Sequence, residues 1–140
     1  MRVGITGAAG YFGRNIIARL EENDSVDHIV GISRRPWEHG YEKLDYHRLD
    51  VRSDTLPKLF ASQGVDTVIH LAFALNPTHD KREMHDINVN GTRNVLNAAA
   101  EAGIQKLVMS SSTTVYGALP DNPSRLTEDM PRRGRHSRYY

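Results

Sequence analysis

Short apolar runs alternate along this chain with stretches whose apolar positions recur every three or four residues, the pattern of strands alternating with helices. Residues Arg2–Thr6 read as a strand that ends in a glycine cluster, after which Phe12, Ile16, Ile17 and Leu20 recur at helical spacing. His28–Ser33 reads as a second strand and residues 46–49 as a short third one, with an irregular connection over 36–45. Residues 53–63 suit a helix, with Ser53 as N-cap, Leu56, Leu59 and Phe60 inward and Gly64 as the stop. The nearly continuous apolar run 65–71 predicts a strand buried on both faces. A long helix follows over 80–102, with Ile87, Val95, Leu96 and Ala98 to Ala100 facing inward and Gly103 closing it, and residues 106–110 form a fifth strand. Buried strands separated by helices pair in parallel through right-handed crossovers. The expected fold is therefore α/β, a doubly wound parallel sheet in the order 3-2-1-4-5.

Composition narrows the function classes. The 140 residues carry 18 Lys+Arg against 17 Asp+Glu, a net charge of +1, and no cysteine. Such a balance gives no reason to expect nucleic acid or an anionic membrane as partner. Without cysteine there is no disulfide, no Cys-ligated zinc and no Cys nucleophile, and a reducing cytoplasm fits. His79 and His85 are six residues apart, on different faces of a helix, so no metal site is expected. The longest apolar run, residues 68–75, is far shorter than the ~20 residues of a membrane helix. The N-terminus enters the first strand directly, so no leader segment is expected.

Charge is uneven along the chain. Arg125, Arg132, Arg133, Arg135 and Arg138 face only Glu128 and Asp129 within residues 124–140, and Pro123, Pro131 and Gly134 break any periodicity there. The expected organisation is one α/β domain over 1–123 and a basic surface loop over 124–140.

The glycines carry the first chemistry. Gly7, Gly10 and Gly13 stand where the first strand hands over to the first helix. The first serves a tight turn, the second lets the backbone approach a pyrophosphate, and the third lets helix and strand pack closely. Amides at the helix N-terminus then face the anion. The loop Gly7, Gly10, Tyr11, Phe12 and Gly13 is thus a candidate cofactor site.

The end of the second strand selects the cofactor. An acid there holds a free ribose 2′-OH, whereas this chain has Ser33, Arg34 and Arg35. A hydroxyl and two guanidinium groups suit a 2′-phosphate through charge-assisted hydrogen bonds, which favours NADP(H) over NAD(H).

Five separate segments resemble the extended short-chain dehydrogenase/reductases, in particular the nucleotide-sugar epimerase/dehydratase group. They are Thr6-Gly-Ala-Ala-Gly-Tyr-Phe-Gly13, Leu49-Asp-Val-Arg52, His70-Leu-Ala72, Asn88-Val-Asn-Gly-Thr92 and Ser110-Ser-Ser-Thr-Thr-Val-Tyr-Gly117. The resemblance implies an adenine contact from the Asp50 side chain and the Val51 backbone. It implies that Leu71, Ala72 and Phe73 pass beside the ribose and pyrophosphate, and that Asn88 helps order the site. It places the catalytic serine at Ser112, where a hydroxyl beyond a strand's C-terminal end can hydrogen-bond the reacting oxygen.

The same resemblance implies a Tyr general acid/base with a Lys one helical turn later, whose charge lowers the phenol's pKa. Tyr140 is the preferred candidate over Tyr139, and no lysine follows it. The implied protein is a longer homo-oligomeric enzyme acting on a nucleotide sugar or another small molecule, with a sixth strand and substrate domain beyond these residues. Two rival readings are a reductase of a small carbonyl compound of flavonoid or steroid type and a non-catalytic NADP(H)-sensing module.

Overall fold

The computed structural model describes residues 1–38, 40–74 and 81–134. Five strands form one sheet: β1 (Arg2–Thr6), β2 (His28–Ser33), β3 (Leu44–Arg48), β4 (Thr67–His70) and β5 (Lys106–Met109). Their order is β3-β2-β1-β4-β5 and each neighbouring pair is parallel, as the alternation of strands and helices predicts. Register is set by burial. Thr6 pairs with Ile32 on one side and His70 on the other, so β1 and β4 finish level beneath the first glycine while β2 runs one residue further, to Ser33.

Helix α1 (Tyr11–Glu21) covers one face of the sheet. Ile17 packs there with Val3, Ile5, Ala8, Val26 and Ile29. On the other face lie α2 (Leu56–Ser62) and α4 (Thr92–Glu101), whose Leu56, Phe60, Val95 and Ala98 close over Val30, Ile32, Val65 and Val68. Apolar cover on both faces is what an all-parallel sheet requires, since its strands have no solvated side. The predicted long helix is three segments: α3 (Lys81–His85), a π-helical turn over Asp86–Gly91, and α4.

Several expectations are corrected. The third strand starts at Leu44, not at 46, because Leu44 and Tyr46 both pack toward the α1 face near Trp37 and Tyr41. Helix α2 starts at Leu56; the Ser53 hydroxyl instead accepts the Thr55 amide at 3.2 Å in the preceding turn, and Pro57 occupies the first turn of the helix. Leu96 is 45% exposed and Ala100 is exposed. The buried stripe runs through Ile87, Gly91, Val95, Ala98 and Ala99, and both of those residues lie one step, about 100°, round from it. Phe12 is likewise 65% exposed, because Gly13 takes the inward place on α1.

By contact the chain divides into two units, 1–109 and 110–140. The second holds one short 3₁₀ turn over Thr113–Tyr116 and no described strand.

Candidate functional site

The site is built first by what cannot be there. Gly7 has φ +73°, and a Cβ on it would stand 2.7 Å from the Leu71 carbonyl carbon and the Ala72 nitrogen. Only glycine allows this turn and this approach between the loop after β1 and the segment leaving β4. Gly10 is the N-cap of α1; its N–H donates to the Gly7 carbonyl at 2.8 Å, and no side chain caps the helix. A Cβ on Gly13 would overlap the carbonyl oxygens of Gly7 and Ala8. The first turn of α1 therefore lies directly on the loop, with its orphan amides available to an anion. Tyr11 and Phe12, edge to face at 5.5 Å, stand exposed beside it. The close backbone approach and uncapped helix end fit a dinucleotide pyrophosphate.

Charged groups are chained beyond the ends of β2 and β3. The Asp50 carboxylate accepts the Arg52 amide at 2.9 Å and its guanidinium at 2.8 and 3.0 Å. Arg52 also donates to Asp86 at 2.7 Å, on the π-helical turn. The Arg52 hydrogen bond holds the Asp50 carboxyl below its usual range against the opposing effect of burial, while Asp50 and then Asp86 raise the Arg52 guanidinium. Asp86 is itself held low, first by Asn90 and then by Arg52. Arg34 lies 3.8 Å from Asp50 and 3.7 Å from Glu83 on α3. Ser33 Oγ accepts the Arg35 amide at 3.4 Å, and Tyr46 donates its hydroxyl proton to the Arg35 carbonyl. Val51 is buried, and its carbonyl accepts the Asn94 side chain at 2.7 Å.

The segment after β4 is tied to the long helix. The Leu71 amide donates to the Thr6 carbonyl, Ala72 packs at the margin of the core, and Phe73 is exposed. Asn88 brackets Ala74, its Oδ1 accepting the Ala74 amide at 2.7 Å and its Nδ2 donating to the Ala74 carbonyl at 3.1 Å. Beneath them His70 is buried between Thr6 and Thr92 hydroxyls, at 2.6 Å from Nδ1 and 3.0 Å from Nε2. Burial pushes the His70 imidazole below its usual pKa. The cofactor-site candidates of the glycine loop, of residues 33–35 and 50–51, of 71–73 and of Asn88 thus all belong to one unit. Arg52, Glu83, Asp86 and Thr92 join them; Arg52 and Thr92 stand in segments that the sequence singles out, whereas nothing in the sequence signals Glu83 or Asp86.

Ser112 belongs to the second unit. It is the N-cap of the Thr113–Tyr116 turn, its Oγ accepting the Thr114 amide at 3.3 Å and the Thr114 hydroxyl at 2.9 Å. In the same unit Arg133 donates to Asp121 and Asn122, both at 2.6 Å, and Asn122 donates to the Gly117 carbonyl. Tyr139, Tyr140 and His79 lie outside the described residues. Among the described residues no group of acids and histidines is arranged to hold a metal ion, and no helix is long and apolar enough to cross a membrane.

The family model of the NAD dependent epimerase/dehydratase family matches residues 3–140. The chain belongs to that family. Within it, the chain is 33% identical to UDP-glucose 4-epimerase 2 of Oryza sativa subsp. japonica over 143 residues, covering 91% of this chain and 34% of the relative. It is 37% identical to an L-arabinose 1-dehydrogenase (NAD(P)(+)) of Haloferax volcanii over 116 residues, covering 82% of this chain and 42% of the relative. Its fold is similar to that of MoeE5 in complex with UDP-glucuronic acid and NAD, with a TM-score of 0.80 and 29% identity over 95% of this chain and 43% of that one. The epimerase/dehydratase chain described here thus spans less than half the length of the relatives it matches.

Proposed function

We propose that this chain is the dinucleotide-binding portion of a nucleotide-sugar epimerase/dehydratase-like oxidoreductase, and that it takes NADP(H) in preference to NAD(H). The observation that carries the reading is the glycine turn pressed against Leu71 and Ala72, which leaves the α1 N-terminus open to a pyrophosphate. Tyr11, Phe12, Leu71, Ala72 and Phe73 line the path of the dinucleotide, Asp50 and Val51 hold its adenine, and Asn88 fixes the segment beside its ribose. Ser33, Arg34 and Arg35 receive the 2′-phosphate, and this basic lining is the ground for the preference, since the relatives are named for either dinucleotide or hold NAD. When bound, the dinucleotide supplies hydride transfer at a sugar carbon.

In the whole protein Ser112 donates a hydrogen bond to the substrate oxygen, and Tyr140 takes the proton that this oxygen gives up as it becomes a carbonyl. The substrate is a nucleotide sugar, as the names of the rice relative and the MoeE5 complex suggest. The Haloferax similarity favours a second reading, oxidation and reduction of a small molecule without a nucleotide. We place the protein in the cytoplasm as a homo-oligomer. Among the described residues β5 pairs only with β4 and exposes Val108 and Met109, and self-association along that edge would appear as a dimer in sedimentation.

Titration with NADPH and NADH, followed by nicotinamide fluorescence, tests the cofactor assignment. Tighter binding of NADPH, lost in an Arg34→Ala/Arg35→Ala double variant, is expected. Tighter binding of NADH by the unchanged chain would reverse the preference.

A further inference from the structure

The arginine offered to a 2′-phosphate is already shared. Arg34 sits between two carboxylates contributed by different elements, Asp50 beyond β3 at 3.8 Å and Glu83 on α3 at 3.7 Å. The two acids are not equivalent. Asp50 spends its charge on Arg52, which grips it through three hydrogen bonds. Glu83 is half-exposed, and its carboxylate faces the outer nitrogen of Arg34. The strand end itself carries no acid, only Ser33, Arg34 and Arg35, while Arg48 donates to the Arg34 carbonyl at 3.1 Å and adds a further cation nearby.

We infer that Glu83 is a specificity-determining residue that holds down the preference of this site for NADP(H). The inference rests on the dinucleotide reading above. A 2′-phosphate binding Arg34 must compete with the Glu83 carboxylate and then remain close to it, a like-charge contact that a 2′-OH does not create. A ribose hydroxyl, being uncharged, leaves the Arg34–Glu83 pair in place. Glu83 therefore costs affinity for NADPH and is neutral toward NADH. The acid that discriminates against the phosphate comes from the long helical segment instead of the end of β2, so the basic sequence Ser33-Arg34-Arg35 overstates the preference when read alone.

The test is the ratio of NADH to NADPH dissociation constants in the unchanged chain, in Glu83→Gln and in Glu101→Gln, an exposed position at the end of α4. Glu83→Gln is expected to raise that ratio about three- to fivefold at low salt, as suits a partly exposed charge pair. The gain comes from tighter NADPH binding, with NADH binding unchanged within twofold, and it shrinks at high salt. In an Arg34→Ala background the Glu83→Gln change is expected to have no such effect. Glu101→Gln leaves the ratio where it was. A ratio that stays within twofold of the unchanged chain in Glu83→Gln, while both dinucleotides bind, overturns this inference and leaves the dinucleotide reading standing. Failure of the unchanged chain to bind either dinucleotide overturns both.

Discussion

Residues 1–109 and 110–134 are held together by different physics. The first unit contains every buried side chain among the described residues and packs two apolar layers against a parallel sheet. In the second no described residue is buried, and its order rests on local polar contacts such as Ser112 with Thr114 and Arg133 with Asp121 and Asn122. The comparison separates two tasks. The glycine loop is positioned by a core, whereas the serine turn is specified by short-range hydrogen bonds, each of which contributes little net stability.

The contrast can be broken most severely at Phe60, fully buried among Val30, Val65 and Val95. Phe60→Ala is expected to cost about 3–5 kcal/mol by leaving a cavity, which chemical denaturation followed by circular dichroism would report. Next in size is Gly7→Ala. Its Cβ meets the backbone of residues 71 and 72 at a positive φ, so a loss of about 1–3 kcal/mol is expected, together with at least tenfold weaker dinucleotide binding in calorimetry.

A smaller effect comes from His70, whose folded pKa lies below its ordinary value because burial disfavours the charged ring. The unfolded chain then takes up the proton first, so stability is complete above about pH 6.5 and falls as pH drops toward the lower folded pKa. Denaturation midpoints measured between pH 8 and pH 5 should show that decline, and His70→Gln should flatten it. The smallest effect belongs to the second unit. Arg133→Ala removes the contacts to Asp121 and Asn122 and is expected to leave both the melting temperature and the NADH affinity unchanged. A clear drop in either would mean that the second unit supports the first, and the division would need redrawing.

Strand pattern alone was enough for the outer plan. The bounds of β1 and β2 and the order β3-β2-β1-β4-β5 follow from apolar runs and parallel connections. The third strand begins two residues before the apolar run that marks it, because its apolar positions, Leu44 and Tyr46, alternate with Asp45 and His47 and only one face carries the signal. The interruption of the long helix by a π-helical turn leaves no trace in periodicity, because Ile87, Gly91 and Val95 keep a spacing of four across it. The glycine loop could be read from spacing since each glycine answers to a backbone contact. The Arg34–Glu83 pair could not, because the two residues are 49 positions apart and meet only once the helical segment is laid over the strand ends.

The contact between Gly7 and the Leu71–Ala72 backbone also limits how this fold can be rebuilt. Two stretches more than sixty residues apart form one piece of architecture. A glycine loop transplanted from another protein would arrive with its own clearance from the β4 side and would collide with, or gape from, residues 71 and 72. Recombination between members of this family should therefore succeed when both stretches travel together and fail when a crossover separates them.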